Sequence, residues 1–173
     1  RCGGAVRGPR ADADPPQRLD GDGDDVPEVV LPPEAGDADH RAARQLQHEV
    51  HAATGLRPPV LKVARLGRPH DIIVLVSDPT AAERLLGEPL HWEELEGRGD
   101  EAHLVEVTPR RIVAGGRGAL ALHLAVQTLR QIARVEGALW PAQRIVDWPA
   151  LRYRGLMLDV SRGKVPTVET LKR

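Results

Sequence analysis

Phenylalanine is absent from this 173-residue chain, and cysteine, methionine and tyrosine occur once each. A single thiol, Cys2, excludes an internal disulfide framework and a multi-cysteine zinc site. No apolar run approaches the roughly 18 residues that a membrane-spanning helix needs. Neither sign of charge prevails: 24 Lys and Arg stand against 25 Asp and Glu, for a formal net charge of -1. That balance gives no global electrostatic reason to expect nucleic acid or an anionic membrane surface as a partner. The scarcity of aromatics beside abundant Ala, Arg, Gly and Pro reads as a biased codon source, not a functional signal. An initiating methionine is also lacking, since the chain begins at Arg1, and it ends at Leu171-Lys172-Arg173 inside a starting helix. Both ends suggest an incomplete chain, and they leave secreted, periplasmic and cytoplasmic locations open.

What is present is ordinary for a globular protein: 41% hydrophobic and 28% charged residues, in a length that suits one core or one core plus a fragment of another. Residues 1–27 carry almost no large apolar side chain and are expected to be disordered, because they cannot bury enough surface to offset their ordering entropy. A short strand is expected at Glu28 to Leu31, stopped by Pro32-Pro33. Ala42, Ala43, Leu46, Val50 and Ala53 then recur at helical spacing, with Asp37 or Asp39 available as a cap and Gly55 just past the end. Strands are expected at Val60 to Ala64 and at Ile72 to Ser77. The unbroken run Ile72-Ile73-Val74-Leu75-Val76 suits a central strand covered on both faces. Thr80 to Leu86 reads as a short helix. Leu104 to Val107 and Arg111 to Ala114 read as a hairpin around Thr108-Pro109-Arg110. Gly115-Gly116-Arg117-Gly118 is expected to break the chain before a second helix from Ala119 to about Arg134, closed by Gly137. The fold expected for residues 28–149 is therefore α+β: a mixed, mostly antiparallel sheet with two helices on one face.

Several clusters invite a chemical reading. His48-Glu49-Val50-His51 resembles a zincin motif but is one residue short, so its histidines stand at i and i+3 rather than on one ligating face. Exposed helix polars are the better reading. Gly115 to Gly118 lacks the Lys-Ser/Thr of a phosphate loop and reads as a strand-to-helix turn. Trp92, Trp140 and Trp148 are assigned to packing and domain interfaces. Glu93, Glu94 and Glu96 are read as a solvated acidic stretch.

The last residues carry more. Asp147-Trp148-Pro149 ends one element. Tyr153 to Val160 reads as a buried strand, with Asp159 and Arg162 at its carboxyl end. Thr167 can cap a new helix at Val168. A strand, a polar loop and a helix make the first βα unit of a barrel or doubly wound sheet. This stretch, Tyr153-Arg154-Gly155-Leu156-Met157-Leu158-Asp159-Val160-Ser161-Arg162, resembles the opening of the catalytic barrel of glycoside hydrolase family 20. Ala125 to Gln131, Leu104 to Pro109 and residues 42–60 resemble that family's accessory domain. The resemblance spans about residues 28–173, which implies an accessory domain at 28–149 and the truncated start of a TIM barrel at 150–173.

That resemblance implies a β-N-acetylhexosaminidase, which removes terminal N-acetyl-D-hexosamine residues by substrate-assisted retaining hydrolysis, a departure from the usual scheme of two enzyme carboxylates. Arg162 would bind hydroxyls of the terminal sugar, a role that suits the rigid donor fork of a guanidinium. Asp159 would orient it. Gly163-Lys164 replaces the His or Asn and aromatic residue common after this arginine, so contacts from that loop are expected to differ. The family's Asp-Glu catalytic pair falls on a later barrel strand, so no catalytic residue is assigned here and the chain alone is expected to be inactive. Gly99-Asp100-Glu101 imitates such a pair but lies in the accessory domain and reads as a solvated loop. The implied partner is a glycan containing N-acetylhexosamine, with no cofactor or metal. A non-catalytic carbohydrate-binding or scaffold domain of the same origin stands as the alternative, and a related retaining glycosidase as a third reading.

Overall fold

The computed structural model describes residues 5–7, 15–19, 26–66, 72–155, 157, 163 and 165–172. Its strands are β1 (Ala5–Arg7), β2 (Gln17–Arg18), β3 (Glu28–Leu31), β4 (Val60–Lys62), β5 (Ile72–Val76), β6 (His103–Val107), β7 (Arg111–Gly116), β8 (Leu139–Trp140) and β9 (Gln143–Asp147). The helices are α1 (Asp37–Thr54), α2 (Pro79–Leu86), α3 (Ala119–Glu136) and α4 (Val168–Lys172), with a 3-10 turn at Trp92–Leu95. Seven strands form one sheet in the order β1-β9-β6-β7-β5-β3-β4, while β2 and β8 make a separate antiparallel pair.

Strand β5 shows why the sheet sits in the middle of the molecule. All five of its side chains are buried. Ile73 and Leu75 face the core beneath α1 and α3, together with Val29, Leu31, Leu46, Leu122 and Leu129. Ile72, Val74 and Val76 face the opposite core, with Leu85 of α2 and Trp92 and Leu95 of the 3-10 turn. The period-2 alternation of a strand thus feeds two apolar layers at once. The two long helices share one face as expected, and α2 with the 3-10 turn covers the other.

Helix ends follow their local chemistry. The Asp39 carboxylate accepts the Gly36 N–H at 2.9 Å, which satisfies a donor that the first turn would otherwise leave open. Gly55 closes α1 at φ 79, in the left-handed region, and donates to the His51 carbonyl. Asp78 accepts from Thr80 N–H at 3.0 Å at the start of α2. Thr167 accepts from Thr170 N–H at 3.3 Å at the start of α4. The expected hairpin is present, with Thr108 N–H bonded to the Arg111 carbonyl at 2.9 Å.

Four expectations need correction. The sheet is mixed, but not mostly antiparallel among its described pairings: β3–β4, β3–β5 and β5–β7 are parallel, while β6–β7, β6–β9 and β1–β9 are antiparallel. The crossover through α1 makes β4 parallel to β3, and that through α2 and the β6–β7 hairpin makes β7 parallel to β5. Disorder does not hold throughout residues 1–27. Ala5–Arg7 pairs with the otherwise open edge of β9, and Leu19 is buried with its N–H on the Ala138 carbonyl at 2.8 Å. An edge strand needs few apolar side chains, because its backbone supplies the bonds. Gly115 and Gly116 do not break the chain; they end β7. A Cβ on Gly115 would lie 2.0 Å from the Val76 carbonyl oxygen, and one on Gly116 would lie 2.6 Å from the Ala102 oxygen, so glycine serves close approach here. Finally, Tyr153, Arg154, Gly155 and Met157 belong to no strand, and Tyr153 and Met157 are 83% and 92% exposed. The remaining residues of the expected barrel strand, Leu156, Leu158, Asp159 and Val160, lie outside the described residues, as does Arg162.

Candidate functional site

The chain leaves the sheet at the end of β9, and a groove with a mainly apolar lining lies there. Strand β9 pairs with β6 in the register His103↔Asp147, which brings the start of one strand beside the end of the other. His103, Leu124, Asp147, Trp148, Pro149, Ala150, Leu151 and Arg154 line a groove of about 500 Å³. Its floor is fixed from below. The buried His103 ring has its nitrogens 3.1 Å from the Glu101 carbonyl oxygen and 3.3 Å from the Thr128 hydroxyl of α3. Asp147 accepts the Trp148 N–H at 2.9 Å where the strand ends.

The loop before β6 then reaches across. The Arg98 guanidinium carbon sits 3.6 Å from the centre of the Trp148 ring, a cation–π stack. The Glu101 carboxylate is paired with Arg154, whose other terminal nitrogen donates to the Leu151 carbonyl at 2.7 Å. Glu101 is therefore engaged and not the solvated loop residue expected, whereas Asp100 is exposed. Both carboxylates near the groove, Asp147 and Glu101, are committed to neighbours of the protein itself. The groove can hold an apolar surface, but it presents no acid and nucleophile aimed at a common point.

The other candidate clusters are structural. Glu49, the centre of His48-Glu49-Val50-His51, turns inward toward α3. Its carboxylate accepts from Arg130 Nε at 2.9 Å and from Arg134 Nε and Nη2 at 2.6 Å each. These bonds, led by that of Arg134 and set against desolvation, lower its pKa from 4.5 to about 2. His48 and His51 are exposed, and His51 Nδ1 lies 3.0 Å from the Gly55 carbonyl oxygen at the end of α1. Among the described residues no group of three or more His, Cys, Asp or Glu side chains could hold a metal ion. Trp92 and Trp140 are core residues, and Trp140 donates to the Gly137 carbonyl at 2.8 Å. In the acidic stretch, Glu94 pairs with Arg144 and Glu96 with Arg117. Sequence reasoning missed the Glu49 cluster and the Arg98–Trp148 and Glu101–Arg154 pairs. Arg130 and Arg134 at i and i+4 of α3 were the available signal for the first; the others join residues 50 or more positions apart, which no local pattern reveals.

Comparison with known proteins adds a family to this geometry. Residues 24–148 match the family model described as glycosyl hydrolase family 20, domain 2. A β-N-acetylhexosaminidase of Cellulomonas fimi is 42% identical over 77 residues, which are 43% of this chain and 15% of that protein. The solved family 20 β-N-acetylhexosaminidase of Streptomyces coelicolor A3(2) superposes with a TM-score of 0.58 at 24% identity, covering 91% of this chain and 28% of that one. The Streptomyces plicatus N-acetyl-β-hexosaminidase gives a TM-score of 0.53 at 25% identity over the same shares, 91% and 28%. The chain thus spans less than a third of each of these relatives. With most of its sheet and both long helices inside the matched range, the chain belongs to glycosyl hydrolase family 20, as that family's domain 2.

Proposed function

We propose that this chain is the accessory part, and the first residues of the barrel, of a β-N-acetylhexosaminidase that removes terminal N-acetyl-D-hexosamine residues from β-N-acetylhexosaminides. The observation that carries this reading is the family match over residues 24–148, joined to the β-N-acetylhexosaminidase of Cellulomonas fimi as a relative. The mechanism is substrate-assisted and retaining: the 2-acetamido oxygen of the substrate attacks the anomeric carbon while an enzyme carboxylic acid protonates the leaving oxygen. In this reading Arg162 holds hydroxyls of the terminal sugar, and Asp159, three residues earlier, orients it. The carboxylate pair that acts on the acetamido group and the leaving oxygen belongs to a later strand of the barrel. Residues 26–66 and 72–155 serve as the folded platform from which that barrel starts.

Two proteins test it with a chromogenic β-N-acetylglucosaminide. The full-length parent should turn the substrate over, and the 173-residue chain should not. Turnover by this chain that depends on Asp100 or Glu101 contradicts the assignment of roles, and an inactive full-length parent favours a binding or scaffold domain instead.

A further inference from the structure

The loop Gly97-Arg98-Gly99-Asp100-Glu101 touches the departing chain at two points. Arg98 stacks on Trp148, the first residue after β9, and Glu101 pairs with Arg154, six residues further on. Between these points the segment makes no strand or helix, and Leu151 and Tyr153 are 67% and 83% exposed. Its course is therefore set by the two side-chain contacts, by Asp147 and by the packing of Trp148 on the core, not by a backbone ladder. The loop itself is flanked by buried residues. Gly97 and Gly99 take φ 71 and 85, Leu95 is buried in the core, and Ala102 begins the buried run into β6. A loop anchored to the core at both ends can hold in place the side chains that it grips.

We propose that Arg98 and Glu101 are positioning residues, a two-point clamp that sets the direction in which the chain leaves the accessory domain. The clamp ends at Arg154, next to Gly155. Resting on the reading of this chain as part of a hexosaminidase, the clamp acts on catalysis by fixing the point from which the chain continues toward Arg162. A displacement of 1 Å at a substrate-binding group can cost on the order of 100-fold in rate.

The test has a readout for each half. In the 173-residue chain, acrylamide quenching of tryptophan fluorescence reports mainly Trp148, because Trp92 and Trp140 are 4% and 0% exposed. Arg98→Ala combined with Glu101→Gln should raise quenching while leaving the thermal midpoint of the core nearly unchanged. In the full-length parent, the same double variant should lower kcat/KM by about 10-fold or more. The exchange of charges, Glu101→Arg with Arg154→Glu, should recover most of what Glu101→Arg alone loses. Unchanged quenching overturns the clamp. So does unchanged kcat/KM in an active parent, or a loss that tracks the thermal midpoint and is not recovered by the exchange. A parent with no turnover at all refutes the hexosaminidase reading instead, and the quenching then decides the clamp alone.

Discussion

Replacing Glu49 with Gln should destabilise the fold at neutral pH, and the loss should fade in acid. The carboxylate pairs with both Arg130 and Arg134 on the facing helix, and its side chain is only 10% exposed. Its pKa falls from 4.5 to about 2 in the folded protein. At about 1.4 kcal/mol per pH unit, that depression sets an upper bound of about 3 kcal/mol. The Arg134 side chain is 57% exposed, so solvent screens much of its share. A loss of about 1–2 kcal/mol at pH 7 is the figure that survives the discount. The sign follows from linkage. A depressed carboxylate pKa contributes stability that is complete above about 4.5, the unfolded value, and is lost as the pH falls through the folded value of about 2. By pH 3.5 the difference between the two proteins should have shrunk by roughly two fifths. Urea denaturation at both pH values measures it as a shift in midpoint at constant slope. A variant as stable as the parent at pH 7 would refute the ion-pair account. A loss that does not shrink in acid would assign the effect to packing.

Gly115→Ala should be far worse than its one methyl suggests, by about 3 kcal/mol or more, because the Val76 carbonyl it meets is backbone and cannot yield; a thermal melt or insoluble expression would show it, and a native melting point would contradict the close approach. Gly55→Ala, with open space around the new Cβ but φ at 79, should cost only about 1 kcal/mol by the same measurement. Removing residues 1–20 should lower the melting point, since it strips β1 from β9 and Leu19 from the core; an unchanged melt would mean that these strands add nothing.

Legibility followed burial and local chemistry. The stripes of α1 and α3, their closing glycines and the continuous apolar run of β5 were all readable, because each feature is written within a few neighbouring residues. The hairpin was readable from Thr108-Pro109-Arg110. Strand β9 was not: Gln143 and Arg144 lead it, only Val146 is buried, and its identity comes from pairing with β6 across the 35 residues between them. The same holds for β1, whose partner is β9, and for the two-residue pair β2–β8. Gly115 and Gly116 looked like punctuation because glycine is ambiguous alone; the Val76 and Ala102 carbonyls that demand it are distant in sequence. Glu101 illustrates the limit at the site, for its partner Arg154 stands 53 residues away. Arg162 and Asp159, which the resemblance supplied, lie outside the described residues.

Substitution of Arg162 in the full-length parent tests most directly its proposed grip on the terminal sugar of a hexosaminidase substrate. Arg162→Lys keeps the charge but loses the donor fork, so kcat/KM on a chromogenic β-N-acetylglucosaminide should fall by about 100-fold or more with the fold intact. Activity that survives Arg162→Lys, or a full-length parent without turnover, would contradict the account.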